Sequence, residues 1–194
     1  MLEVKVVFLG SSNVGKTSIL HRITSDKFNT ESLPTTGAAS MTKVVTKDDK
    51  QVLLRLWDTA GQERYRAIAP IYYQGSHIAI IVFAIDDRNS FDDTLSWLEQ
   101  LEAHMSQMPM TYLVGNKSDL QDKREISIDE ANARADQFNA TYLEVSAKSG
   151  NNIDELLDDI SERILSKNIV DDNAGNLNPV LGSLEKENEE RKCC

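Results

Sequence analysis

The residues Gly10-Ser11-Ser12-Asn13-Val14-Gly15-Lys16-Thr17 fall between an apolar run, Val4 to Leu9, and a segment that places Ile19, Leu20 and Ile23 on one helical face. The pattern G-x-x-x-x-G-K-[ST] in a strand, loop, helix setting leaves a chain few options. A glycine-punctuated loop turns backbone N–H groups inward, and the following helix N-terminus adds partial positive charge. Lys16 supplies a full charge, and Thr17 offers a hydroxyl suited to Mg²⁺. The stretch therefore predicts a polyphosphate site at the end of the first strand of an α/β sheet.

The remaining chain supports that architecture. Strand readings at Val4–Leu9, Met41–Thr46, Val52–Asp58, Ile78–Ile85, Met110–Gly115 and Thr141–Val145 alternate with helical patterns after the third strand. Polar Lys47 to Lys50 makes a hairpin of the second and third strands. Ile78 to Ile85 is wholly apolar and far short of a bilayer span, so it reads as a buried parallel strand. Ser90 and Asp93 form a capping signal ahead of Phe91, Leu95, Leu98 and Glu102, and Ser127 with Glu130 repeats it ahead of Ala131, Ala135 and Phe138. Asn152 is the expected cap of a last helix presenting Ile153, Leu156, Leu157, Ile160 and Ile164. Lys27 to Ser40 lacks a period and reads as a mobile loop, and Arg64 to Tyr73 as a helix interrupted by Pro70. The expected fold is a doubly wound α/β domain with one antiparallel strand, whose ligands bind beyond the C-terminal strand ends.

The 194 residues carry a net charge of −10 and gather no long run of Lys and Arg, which argues against a nucleic-acid surface. No secretory h-region is read at the N-terminus, and the two cysteines, Cys193 and Cys194, provide no disulfide framework, so the cytosol is the expected compartment. From Asn168 the sequence turns to Asn, Asp, Glu, Lys and Gly, the composition of a disordered tail. His21, His77 and His104 share no metal-binding spacing and read as ordinary surface or core residues.

Further polar groups stand at strand ends. Asp58 closes the third strand, where a carboxylate can hold Mg²⁺ directly or through water; Gly61 allows close approach to a terminal phosphate, and Gln62 is placed to orient a water. Asn116-Lys117-Ser118-Asp119 follows the fifth strand and Ser146-Ala147-Lys148 the sixth. A carboxylate at Asp119 can accept from both the ring N–H and the exocyclic amine of guanine, donors that adenine does not offer in that arrangement. A site built this way rejects the wrong base by a factor of about 10⁴ or more. An adenine-dependent ATPase loses to Asp119 on that ground.

These ordered motifs resemble the Ras superfamily of small GTPases over residues 2 to 167, and the runs Trp57 to Arg66 and Ile71 to Gly75 are similar to the Rab branch. The resemblance implies a P-loop NTPase small G domain, with a mostly parallel six-stranded sheet, one antiparallel strand and helices on both faces. It implies that residues 1–167 are the GTPase domain and 168–194 a hypervariable tail. Ser12, Asn13, Val14, Gly15, Lys16, Thr17 and Ser18 would cradle the phosphates of GTP or GDP, with Thr17, Thr35 and Asp58 around Mg²⁺ and Thr35 sensing the γ-phosphate. Gly61 and Gln62 would belong to the second switch. Asn116, Lys117, Asp119, Ser146, Ala147 and Lys148 would hold guanine, Ala147 through its backbone N–H, with Phe28 against the base edge. Catalysis would fall to Gln62, orienting a water for in-line attack, and to Lys16; with no arginine finger in cis, the intrinsic rate would be slow.

By the same resemblance the partners are effectors, an exchange factor, a GTPase-activating protein, prenyl-transfer proteins and GDI-type chaperones, in vesicle membrane trafficking. Cys193-Cys194 is similar to a doubly geranylgeranylated ending, and two lipids suit a tail that mixes Glu185, Glu187, Glu189 and Glu190 with only Lys186, Arg191 and Lys192. Gly37 to Ser40 and Tyr65 to Gly75 are similar to early-endosomal Rabs, which implies the cytoplasmic face of an endosomal membrane. Thr36 and Ser40 depart from the Rab pattern, and Ser40 leaves the aromatic cluster with Trp57 and Tyr72 incomplete. They leave room for a rival reading, a catalytically weak prenylated scaffold with an atypical first switch. Asn13 stands where a small residue is more usual; at positive φ, asparagine is among the better non-glycine choices.

Overall fold

The computed structural model describes residues 2–29, 35, 38–47, 49–59 and 69–167. Six strands, β1 (Leu2–Leu9), β2 (Ala38–Lys47), β3 (Lys50–Thr59), β4 (Ile78–Ala84), β5 (Met110–Asn116) and β6 (Thr141–Glu144), form one sheet in the order β2-β3-β1-β4-β5-β6. The helices are α1 (Lys16–Ser25), α2 (Ala69–Tyr73), α3 (Arg88–His104), α4 (Ile128–Gln137) and α5 (Ile153–Lys167). Only β2 runs antiparallel, against β3; the other pairings are parallel. Strand β1 lies between β3 and β4, so successive crossovers leave it in opposite directions and open a crevice at its C-terminal end.

The apolar run of β4 follows from burial on both faces. Ile78, Ile80 and Val82 point with Val6, Phe8 and Leu56 into a core closed by Ile19 and Leu20 of α1 and Leu156 and Ile160 of α5. Ala79, Ile81 and Phe83 point with Val7 and Leu9 into a second core closed by Phe91, Trp97 and Leu98 of α3 and by Ala131 and Ala135 of α4. A period of two along each strand feeds both layers. Among the described residues no helix is long and apolar enough to cross a membrane.

Several local expectations are corrected. Ala38, Ala39 and Ser40, expected in the loop, begin β2, because their backbones pair with Thr59, Asp58 and Trp57. Small side chains hid a strand that ladder bonding specifies. Lys47 pairs with Lys50, and Asp49 takes φ 60° in the tight turn between them. Asp87, not Ser90, caps α3, with Oδ1 accepting from Asn89 N and Ser90 N at 3.1 and 3.3 Å. The Ser90 hydroxyl instead accepts from Ala84 N at 3.0 Å. Thr94, Trp97 and Leu101 complete the buried face of α3, and Glu102 is exposed. Pro70 is the second residue of α2, and the rest of the segment expected as an interrupted helix, 64–68, lies outside the described residues. Asn152 takes φ 57° and its side-chain amide donates to Glu144 O at 2.9 Å, tying the start of α5 to β6.

The expected capping box of α4 is present. Ser127 Oγ accepts from Glu130 N at 3.1 Å, and Glu130 Oε2 accepts from Ser127 N at 3.2 Å. Ser127→Ala should lower the unfolding free energy by about 1 kcal/mol. The measure is a lower denaturant midpoint at unchanged slope; an unmoved midpoint would show that the box adds nothing to the fold.

Candidate functional site

The crevice beyond β1 is built first by the loop that leaves it. Gly10 takes φ 136°, and a Cβ there would stand 2.2 Å from Val82 O, so only glycine lets the loop pass this close to β4. Asn13 takes φ 64°, as suits asparagine, and Gly15 takes φ 94° as the N-cap of α1. A Cβ on Gly15 would meet Asn116 Nδ2 at 2.2 Å. No side chain caps α1 and its first turn holds no acidic residue, so its leading N–H groups and dipole face the cleft without an anionic competitor.

The loop curls round its own lysine. Lys16 is 5% exposed, and Nζ donates to Gly10 O at 2.8 Å and Ser11 O at 2.7 Å. Burial lowers its pKa to about 8, against an opposing pull from the Asp58 carboxylate. The Val14 side chain is buried and anchors the loop in the core, while Ser12, Asn13, Gly15, Thr17 and Ser18 line the cleft.

Three oxygen-bearing side chains meet beside the lysine. Thr17 Oγ1 donates to Asp58 Oδ2 at 2.6 Å and lies 2.8 Å from Thr35 Oγ1, which is 3.3 Å from the same carboxylate oxygen. Asp58 is buried and its Oδ1 has no hydrogen-bond partner among the described residues. Burial raises the pKa of this carboxyl, with the Thr17 hydroxyl and Lys16 ammonium pulling the other way. A buried carboxylate with an unused oxygen and two hydroxyls beside it is a hard-oxygen set of the kind that takes Mg²⁺, which keeps few protein ligands. Among the described residues no three His, Cys, Asp or Glu side chains converge, so no softer metal set competes with this one there.

The base-side loops converge on the opposite end. Asn116 Nδ2 donates to Val14 O at 2.8 Å and its Oδ1 accepts from Ala147 N at 3.1 Å, so one side chain joins the phosphate loop to the loop after β6. Ser146 Oγ donates to Asp119 Oδ1 at 2.6 Å, and Lys148 Nζ stands 3.8 Å from Asp119 Oδ2. Lys117, at φ 63°, places its ammonium 3.3 Å from Asp86 Oδ1. Phe28, Asn116, Lys117, Asp119, Ala147 and Lys148 line the same cleft as the phosphate loop, a space of about 470 Å³. That volume suits a ligand of nucleotide size.

The structure thus brings together the expected residues of both halves, with Val14 and Ser146 buried behind the wall. The Ala147 N–H, expected to face the base, donates to Asn116 Oδ1 in this geometry. Gly61, Gln62, Thr36, Cys193 and Cys194 lie outside the described residues. Asn29, Thr59 and Leu120 also line the cleft and were missed. Leu120 and Thr59 adjoin recognised motifs and could have been found by extending them; Thr59 spends its hydroxyl on Phe8 O at 2.6 Å. Asn29 has only its adjacency to Phe28 as a signal. Ser40 is exposed opposite Trp57, whose ring stands 6.4 Å from that of Tyr72, with the Lys5 ammonium 5.2 Å from its centroid.

The model of the Ras family matches residues 5–166. The chain is 37% identical over 203 residues to GTP-binding protein ypt3 of Schizosaccharomyces pombe, spanning 98% of this chain and 95% of the relative. It is 43% identical over 164 residues to Ras-related protein Rab-22A of Mus musculus and of Homo sapiens, spanning 84% of each chain.

Burial of Lys16 has a measurable consequence for phosphate binding. An anionic phosphate favours the ammonium form, so above pH 8 binding must take up a proton that the empty site has lost. Affinity for GDP should be nearly flat below that pH and fall about tenfold by pH 9. Titration calorimetry at fixed magnesium reads this directly, and equal affinities at pH 7.5 and 9 would contradict it.

Proposed function

The chain belongs to the Ras family as a Rab-like small GTPase, and on that premise we propose which of its residues carry each part of the switch. Its activity is hydrolysis of bound GTP to GDP and phosphate, its role is a nucleotide switch in vesicle trafficking, and its kinds of partner are effectors, exchange factors and activating proteins.

In this reading the loop N–H groups from Ser12 to Ser18 and the Lys16 ammonium hold the phosphates, and Asp119 reads guanine while Phe28 packs on the base edge. The observation that carries the assignment is the oxygen cluster of Thr17, Thr35 and Asp58, with its unused buried oxygen beside the lysine. These three residues would hold Mg²⁺, which when bound supplies positive charge against the phosphate oxygens. Thr35 is the part of this cluster that comes from the segment between α1 and β2, so its hydroxyl is suited to report a terminal phosphate.

Hydrolysis is in-line displacement at the γ-phosphorus. The water oxygen forms the new bond to phosphorus, the bond to the β–γ bridging oxygen breaks, GDP carries away the electron pair, and the water proton passes to the oxygens of the released phosphate. Lys16, held at the loop by two carbonyls, faces the charge that develops. Gln62 orients the water, an assignment supported by its place four residues beyond Asp58 and by family membership. The segment 168–194 acts as a tether, lipidated at Cys193 and Cys194, handled by prenyl-transfer proteins and GDI-type chaperones, and placing the domain on the cytoplasmic face of an endosomal membrane.

Denaturing freshly purified protein and identifying the released nucleotide tests the premise: stoichiometric GDP or GTP is expected, and a pocket that neither carries nor accepts guanine nucleotide would overturn the site. Thr17→Asn should weaken GTP binding at least about tenfold in magnesium and little in EDTA, and equal losses in both would remove Thr17 from the cation set. Gln62→Leu should slow single-turnover hydrolysis by up to about 100-fold with GTP affinity preserved. An unchanged rate would take Gln62 out of the mechanism.

A further inference from the structure

Arg22 belongs to no motif and is not among the residues lining the cleft, yet its guanidinium is committed to the base side of it. From α1, Nε donates to Ala147 O at 3.0 Å and Nη2 to Lys148 O at 2.9 Å. Nη1 donates to the backbone and carboxylate oxygens of Asp26, both at 3.0 Å. The Arg22 side chain is 16% exposed, whereas that of Asp26 is 91% exposed. The contact to Ala147 O is the sheltered one of the four, and both contacts to the loop are charge-assisted and held in the fixed fork of one planar group.

Peptide planarity converts those contacts into an orientation. In a trans peptide the C=O and the N–H point opposite ways, and no cis bond occurs among the described residues. Drawing Ala147 O toward Arg22 turns the Lys148 N–H to the side of the loop away from Arg22, and Ala147 and Lys148 line the cleft whereas Arg22 does not. Drawing Lys148 O the same way turns the Ser149 N–H away from Arg22. That N–H donates to Ser146 Oγ at 3.1 Å, and the Ser146 hydroxyl in turn donates to Asp119 Oδ1 at 2.6 Å. A single guanidinium thus sets two peptide planes and, through one hydroxyl, the orientation of a carboxylate.

The geometry points to Arg22 as a positioning residue for the base: it holds the loop after β6 so that the nucleotide is retained and Asp119 is aimed at guanine. This rests on the assignment of Asp119 to guanine made above. It differs from a helix-end role, in which Arg22 would act through Asp26 alone.

The test uses the full chain loaded with a fluorescent GDP analogue and chased with excess unlabelled nucleotide in magnesium. Arg22→Ala should raise the dissociation rate about tenfold or more, the effect of losing charge-assisted hydrogen bonds. Arg22→Lys, a point donor in place of a fork, should fall between it and the natural chain. Asp26→Asn, which touches only the helix-end contact, should stay within about twofold. The preference for GDP over inosine diphosphate, which lacks the exocyclic amine, should shrink in Arg22→Ala. Unchanged dissociation, an undiminished preference, or an equal effect from Asp26→Asn would each overturn the role. If Arg22→Ala does not melt as a folded protein in saturating GDP, Arg22→Lys carries the same two readouts. A natural chain with no preference for GDP over inosine diphosphate would overturn the Asp119 assignment itself, and the role of Arg22 with it.

Discussion

Asn116 is 2% exposed, and its side chain joins the two halves of the cleft. Its amide nitrogen donates to Val14 O and its amide oxygen accepts from Ala147 N, so its hydrogen bonds run to the phosphate loop on one side and to the base loop on the other. Replacing it by an apolar residue would leave a buried carbonyl and a buried N–H unpaired, each costing about 1–3 kcal/mol. The same contact explains a glycine. Gly15 stands so close to this amide that any Cβ would collide with it, so the left-handed turn and the inter-loop clasp require the same residue.

The sheet supplies the frame on which this clasp works. Because β1 has β3 on one side and β4 on the other, Gly10, Asp58 and the start of α1 arrive at one end of the sheet within reach of each other. Asn116 ends β5 and Ser146 follows β6 on the same end, since these strands are parallel. Ala84 is in register with Asn116, and the Ser90 hydroxyl bonds the Ala84 backbone, so α3 is fastened one strand away from the base loop. Functional groups separated by more than a hundred residues are thereby held by backbone ladders, with side chains only finishing the placement.

What could be read in the sequence divides along physical lines. The phosphate loop, Asp58 and Asn116 to Asp119 were legible because each needs particular residue types at fixed spacing next to an apolar strand. Strands β1, β4 and β5 were legible because their apolar runs have the length of buried parallel strands, and β2 with β3 because a polar turn joins two strand-forming runs. The start of β2 was not, because Ala38 to Ser40 carry no hydrophobic signal and owe their conformation to pairing with β3. The cap of α3 was shifted because Asp87 and Ser90 are both capping types, and only the backbone at Ala84 decides which hydroxyl or carboxylate is drawn elsewhere. Arg22 was invisible for a stronger reason: its partners are backbone carbonyls 125 and 126 residues away, which any residue type supplies.

The charges at the phosphate end follow a common rule. Burial pushes Lys16 toward its neutral form and Asp58 toward its protonated form, so the fold disfavours each charge where the site needs it. Their mutual attraction opposes both shifts without cancelling either. An anion beside the lysine favours its ammonium form and a cation beside the carboxylate favours its ionised form, so each proposed ligand restores the charge that burial disfavours. Unit charges 4 Å apart interact by about 4 kcal/mol at an effective dielectric of 20, several times a typical net hydrogen bond. Attraction between a phosphate and a cation bound at this end would therefore outweigh any single hydrogen bond there, while in the proposal above the choice of base falls to the hydrogen bonds that hold Asp119 and the loop after β6.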